Sequence, residues 1–262
     1  MPTTTSRDGT TIAYSTLGSG PALLLVDGAL CSREFGPMPG YAKALADSFT
    51  VYWYDRRGRG GSGDTPSYAV AREVEDLAAM VQVAGGSPFV FGTSSGAALG
   101  LQGLVAGLPI RKLLMYEAPY TPVPAGGKTA AQHAEALWEL VRRNERGAAV
   151  RYFMCDVVGM PKPVGYLFAL FPMWPKLKAV AHTLPYDLSI LADVDVLGAR
   201  AQGVRAPVMV AGGSKSPEAL QKAVTRVAAA IPGSTLHWVD GQTHDLKAAP
   251  AAALARTFFL PA

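Results

Sequence analysis

Ser94 stands at the centre of Gly92-Thr93-Ser94-Ser95-Gly96, a G-x-S-x-G pentapeptide. A bulky apolar run, Phe89-Val90-Phe91, precedes it, and small helix-forming residues, Ala97-Ala98-Leu99, follow. Strand, sharp turn and helix are the context in which this motif presents a nucleophile. The turn forces its central residue into a strained backbone geometry, and side chains on the flanking glycines would collide with the neighbouring strand and helix. Ser94 is expected to be pushed out over the sheet edge. The backbone N–H of Ser95 would open the helix, aimed where an oxyanion could form. The plain alternative is a Gly/Ser-rich loop with no chemistry.

A serine hydroxyl is a poor nucleophile at neutral pH without a base. The sequence offers His133, His182, His237 and His244. His133 falls in a predicted helix, His182 in a loop of the same helical region, and His237 inside the last predicted strand, where a packed or half-exposed strand residue is expected. His244 follows that strand in Asp240-Gly241-Gln242-Thr243-His244-Asp245, a loop at the same sheet edge as Ser94. His244 is therefore the expected base.

The elements that must position these groups alternate. A hairpin is predicted over Thr3–Ser15, turning at Arg7-Asp8-Gly9. Strands follow at Ala22–Val26, Thr50–Tyr54, Phe89–Phe91, Lys112–Tyr116, Pro207–Ala211 and Thr235–Val239. Helices are predicted around Tyr41–Ala46 and over Glu73–Val83, from the elbow to about Ala106, and over Pro217–Ala230 and Ala248–Phe259. Such alternation implies a mostly parallel sheet with helices on both faces. From about Tyr120 to Gln202 the rhythm stops and the pattern is mainly helical, starting with a helix at Ala130–Arg146. A helical insertion between two strands implies a cap over the carboxyl edge, where such sheets bind ligands. Residues 1–119 and 203–262 are thus expected as the core and 120–202 as a helical cap.

With these motifs in view, the chain resembles the α/β-hydrolase superfamily over almost its whole length. Asp55-Arg56-Arg57-Gly58-Arg59-Gly60-Gly61-Ser62 resembles the family's D-x-R-G-x-G-x-S turn after the fourth strand, Gly92–Gly96 its nucleophile elbow, and Gly241-Gln242-Thr243-His244 its final histidine loop. The resemblance implies an eight-stranded, mostly parallel α/β-hydrolase fold with a helical cap after the sixth strand. It implies a serine nucleophile at Ser94, a base at His244, and oxyanion donors from the backbone of Ser95 and Ala29.

Two departures from the family pattern stand out. The loop after the seventh strand, Ala211-Gly212-Gly213-Ser214-Lys215-Ser216-Pro217, lacks the usual Asp. Glu117, at the end of the sixth strand, is the best substitute, since a carboxylate there could reach the far ring nitrogen of His244 and fix its tautomer. Glu218, Asp240 or no acid at all are the alternatives. The second departure is Asp27-Gly28 where the family has His-Gly. A carboxylate beside an oxyanion hole would oppose the developing charge. The expectation is that Asp27 turns away, neutralised by hydrogen bonds or by an arginine such as Arg57, and braces the loop. The alternative is a site that handles something other than an ordinary ester.

Gly58-Arg59-Gly60-Gly61-Ser62-Gly63 also satisfies G-x-G-x-x-G. The next strand ends at Gly92 and not at an acid that could hold a ribose, and the glycines run into a loop, so dinucleotide binding is rejected. No metal-ligand spacing occurs, and neither metal nor cofactor is expected.

Composition sets the outer bounds. Of 262 residues, 49% are hydrophobic and 17% charged, enough for a sizeable core. A net charge of +4 is too weak a bias for a nucleic-acid surface. Cys31 and Cys155 form no disulfide framework and read as free thiols in a reducing compartment. No apolar leader or 18-residue apolar span is present, so a cytoplasmic protein without membrane or nucleic-acid partners is expected, as monomer or homodimer. Tyr152, Phe153, Phe168, Phe171 and Trp174, with Leu30 beside the oxyanion loop, are the expected substrate-binding residues, favouring an apolar acyl or alkyl group.

The reading is a serine hydrolase acting on a small to medium apolar carboxylic ester or lactone through an acyl-enzyme. Non-hydrolytic or C–C bond chemistry at the same site, and a non-catalytic binding protein on a hydrolase scaffold, are the competing readings.

Overall fold

The computed structural model describes residues 1–123 and 126–260. Eight strands form one sheet: β1 (Thr3–Thr5), β2 (Thr11–Leu17), β3 (Ala22–Val26), β4 (Thr50–Tyr54), β5 (Phe89–Thr93), β6 (Lys112–Tyr116), β7 (Val208–Gly213) and β8 (Thr235–Val239). Their order is β1-β2-β4-β3-β5-β6-β7-β8. The pairs β1/β2 and β2/β4 are antiparallel, and every later pair is parallel. The described residues include ten α-helices. They are α1 (Met38–Leu45), α2 (Val70–Val83), α3 (Ser95–Val105), α4 (Ala130–Arg142), α5 (Arg146–Tyr152), α6 (Lys162–Leu167), α7 (Trp174–Val180), α8 (Leu184–Ala192), α9 (Glu218–Ala230) and α10 (Ala248–Phe259).

Strand periodicity divides the core into two layers. Leu23, Leu25, Phe89, Phe91 and Leu114 point to one face, packing on Met38, Tyr41 and Leu45 of α1 and Ala251, Ala255 and Phe259 of α10. Leu24, Val26, Val90, Leu113 and Met115 point to the other, against Leu77 and Met80 of α2, Leu99 and Leu101 of α3, and Val224 and Val227 of α9. Burial on both faces is why β3 and β5 read as unbroken apolar runs. Each such side chain contributes roughly 1.5–3 kcal/mol by leaving water.

A third apolar cluster lies in the helical segment between β6 and β7. There Leu30 packs with Leu137 of α4, Ala149 and Val150 of α5, Leu177 and Val180 of α7, and Leu184 and Leu188 of α8. Several helix boundaries differ from the sequence expectation; two are instructive. Helix α2 starts at Val70 rather than Glu73. The helix expected over Ala130–Arg146 stops at Arg142, because Asn144 takes a left-handed φ of 56°. The Asn144 and Glu145 N–H groups close back on the carbonyls of Val141 and Leu140, an end motif that Asn tolerates. A new helix then begins at Arg146.

Candidate active site

Strand β5 ends at Thr93, and α3 begins at Ser95. The residue between them, Ser94, has φ 53° and ψ −128°, held by donation of its N–H to the Tyr116 carbonyl at 2.9 Å. A serine in this region is strained by about 1–3 kcal/mol. The turn is tight enough that a Cβ at Gly96 would collide with the backbone carbonyls of Val26 and Asp27, and one at Gly92 with Ala97 and the carbonyl of Gly96. Among the described residues, three of the four non-glycine residues at positive φ are Leu30, Ser94 and Glu117, in the segments that follow β3, β5 and β6. Strain therefore gathers at one sheet edge.

Glu117 follows β6 and is fully buried. Its Oε2 lies 2.8 Å from Nδ1 of His244. Its Oε1 accepts from the Ser216 hydroxyl at 2.5 Å and the Gly213 N–H at 2.8 Å. Burial alone would raise its pKa, but the bonds from His244, Ser216 and Gly213 outweigh burial and hold the carboxyl below the usual carboxylate range. An ionised Glu117 can only accept, so Nδ1 of His244 carries a hydrogen, and in the neutral imidazole Nε2 is then the free ring nitrogen.

The loop carrying His244 is tethered along its length. The Tyr116 hydroxyl donates to the Thr243 carbonyl at 2.5 Å, and the Tyr41 hydroxyl donates to the Leu246 carbonyl at 2.8 Å. The Lys215 N–H bonds the Gln242 carbonyl at 2.9 Å, and the Gly241 N–H bonds Ser214 Oγ at 2.8 Å. The imidazole itself stays 45% exposed, so the site opens to solvent. Among the described residues the hydrogen-bond chain runs from His244 through Glu117 to Ser216 and does not extend to Ser94 Oγ. A contact of this kind commonly tightens only when substrate fills the site.

Of the other acids weighed, Glu218 pairs with Lys222 at 2.7 Å, and Asp240 accepts from Ser214 at 3.1 Å. Of the other histidines, His133 bonds the Tyr152 hydroxyl at 3.0 Å, His182 lies in the short turn before α8, and His237 is exposed on β8.

Asp27 does not meet Arg57, as the sequence reading allowed. Arg57 is committed to Asp76, 2.7 Å away, and Asp8, 3.1 Å away. Asp27 Oδ1 accepts from the Gly28 N–H at 2.9 Å, bracing the loop, while its buried Oδ2 has no hydrogen-bond partner among the described residues. Burial pushes its pKa up to about 7, against the opposing pull of the Gly28 N–H, Arg59, Cys31 and Arg56. Gly28 touches the Ser94 turn: an added Cβ would stand 2.9 Å from Ser94 Cβ.

Leu30 is buried, and Tyr152, Phe153, Phe168 and Trp174 pack partly buried against the same cluster. Phe171 lies outside it, half exposed, with its ring 5.5 Å from Phe168. No cluster of ligating side chains able to hold a metal occurs among the described residues. No described helix is long and apolar enough to cross a membrane. Both cysteines are free.

Sequence reasoning missed Ser216, although it stands in the very loop where the family's acid is absent. It also missed Asp187. That residue is the single carboxylate between Asp156 and Asp193, in an otherwise apolar helix, and an isolated acid in such a run is a signal for a buried ion pair.

With this geometry in place, a family comparison is decisive: the model of the alpha/beta hydrolase family matches residues 22–257. The chain belongs to that family. As an alpha/beta hydrolase it is similar to a solved alpha/beta hydrolase from Sphaerobacter thermophilus DSM 20745, with 42% identity, coverage of 98% of this chain and 100% of that one, and a TM-score of 0.88. It is also similar to the esterase RhEst1 from Rhodococcus sp. ECU1013, at 20% identity, 98% and 97% coverage and a TM-score of 0.66, a likeness of fold alone. The uncharacterized hydrolase YraK of Bacillus subtilis (strain 168) is 29% identical over 147 residues, 55% of this alpha/beta hydrolase. The chain spans about half the length of that curated relative (53%). Family membership supports hydrolase activity in general terms.

Proposed function

We propose that this alpha/beta hydrolase is a serine hydrolase that cleaves a small to medium apolar carboxylic ester or lactone through an acyl-enzyme. The observation that carries the reading is the buried Glu117 bonded to His244 Nδ1 at 2.8 Å, on the same sheet edge as a serine held in a strained elbow. In this reading Ser94 Oγ bonds to the substrate carbonyl carbon as Nε2 of His244 takes its proton. Glu117 stays ionised and stabilises the imidazolium. The backbone N–H groups of Ser95 and Ala29 receive the negative oxygen. Collapse breaks the C–O bond, and His244 returns the proton to the leaving alcohol. Water then attacks the acyl-enzyme by the same steps, releasing the acid and restoring Ser94.

The helical segment is proposed as a cap over this edge, supported by Leu30 packing among its helices. Leu30, Tyr152, Phe153, Phe168 and Trp174 would make an apolar ceiling for the acyl or alkyl group, with Phe171 at its exposed margin. Such lining favours uncharged apolar esters over acidic ones.

A fluorophosphonate probe tests the nucleophile. Stoichiometric labelling of Ser94, abolished in Ser94→Ala, is the expected result, and a folded protein that takes no label overturns the reading in favour of a binding protein. A p-nitrophenyl ester series of increasing chain length then sizes the acyl pocket.

A further inference from the structure

We propose that Asp187, a carboxylate on α8 of the helical segment, is a positioning residue that aims both oxyanion donors. The inference rests on the serine-hydrolase reading above and deepens it.

Asp187 is 1% exposed. Its Oδ1 accepts from the Ser95 hydroxyl at 2.6 Å and from Nη1 of Arg56 at 2.6 Å, and its Oδ2 accepts from Nη2 of Arg59 at 2.7 Å. Glu73 takes the other edge of Arg56, at 2.6 and 2.7 Å. Two buried guanidinium groups thus face two buried carboxylates, but Arg59 has only Asp187 as an ion-pair partner among the described residues.

Arg59 in turn grips the oxyanion loop from behind. Its Nη1 donates to the Gly28 carbonyl at 2.5 Å, and its Nε donates to Thr183 Oγ1 at 3.0 Å. The Gly28 carbonyl and the Ala29 N–H are the two ends of one peptide unit. That unit is planar and trans, so the two groups point in opposite directions. Pulling the oxygen toward Arg59 therefore turns the Ala29 N–H to the opposite side of the loop. The second donor, the Ser95 N–H, begins α3, where no preceding turn can satisfy it. Its own hydroxyl is pinned to Asp187. One carboxylate holds the supports of both donors, and it belongs to the helical segment. How that segment seats on the sheet therefore sets the oxyanion geometry.

The test is Asp187→Asn, with Thr183→Val and Ser95→Ala as milder cuts in the same chain of contacts. Turnover of a p-nitrophenyl ester is measured per Ser94 titrated with fluorophosphonate, alongside affinity for a trifluoromethyl ketone that mimics the tetrahedral intermediate. In folded Asp187→Asn, kcat is expected to fall about 30–100-fold with KM nearly unchanged, less than the roughly 10²–10³-fold that follows outright loss of an oxyanion donor, because the donors are misaimed rather than removed. Ketone affinity should fall by a similar factor, and affinity for the product carboxylic acid should hold. Thr183→Val and Ser95→Ala should each lose several-fold in kcat. A merely structural role would reduce folded protein without changing kcat per titrated site. Wild-type kcat per site in folded Asp187→Asn overturns the inference. So does wild-type kcat in both milder variants if Asp187→Asn does not fold. Wild-type protein that takes no label and turns over no ester sinks the serine-hydrolase reading itself. Labelled, active wild type matched by its variants sinks only the role of Asp187.

Discussion

Glu117 reaches His244 across β7: the carboxylate follows β6, the imidazole follows β8, and Oε2 and Nδ1 meet at 2.8 Å. The strand between them supplies no acid. Its end supplies the Gly213 N–H, and its loop the Ser216 hydroxyl, both spent on Glu117. Glu117→Gln keeps the shape and removes the charge that selects the His244 tautomer. Ester turnover should fall about 10³–10⁴-fold in a folded protein, by analogy with the buried acid of serine proteases. Steady-state kinetics with circular dichroism checks this, and near-normal turnover would move the acid role elsewhere.

Ser216→Ala removes one of the three bonds that keep Glu117 ionised. Its pKa should rise toward the ordinary carboxylate value. The acidic limb of the pH profile of kcat/KM should therefore move to higher pH, with the plateau reduced several-fold. An unmoved acidic limb would show that Ser216 does not bear on Glu117.

Asp27 yields a stability prediction with a definite sign. Its pKa is about 7 in the fold, against 3.8 for the ordinary side chain. Between those values the native state holds a proton that the unfolded chain has lost. Stability is thus full below about pH 4, falls as pH rises toward 7, and levels above it. Asp27→Asn removes this dependence, so its stability relative to wild type should grow by up to about 4 kcal/mol from pH 4 to pH 8. Urea unfolding at the two pH values measures the difference. A constant difference would mean that Asp27 is not held protonated.

Gly96→Ala tests the seating of α3 on β3. The added Cβ would run into the Val26 and Asp27 carbonyls, which are backbone and cannot rotate away. A loss of about 1–3 kcal/mol is expected, with fluorophosphonate labelling slowed because the elbow must move. Wild-type stability in this variant would contradict the tight packing at Gly96.

The sheet and the elbow were legible in the sequence because both rest on local rules. Short apolar runs bounded by Gly and Pro, such as Ala22–Val26 and Phe89–Phe91, are too brief for a buried helix and read as strands covered on both faces, and Gly92 and Gly96 mark a turn that excludes side chains. The location of His244, in the loop after the last strand, was legible too. The break at Asn144 was not, since Ala130–Arg146 keeps helical periodicity and one left-handed residue leaves no trace in it. Tertiary structure alone decided which charges meet. Arg57 stands as near Asp27 in sequence as Arg56 and Arg59, yet it faces Asp76, while Arg56 and Arg59 share Asp187, over 120 positions further along the chain. A buried cation must find a carboxylate at hydrogen-bonding distance, but spacing along the chain does not name which one, because that partner is set by how the helical segment packs onto the sheet.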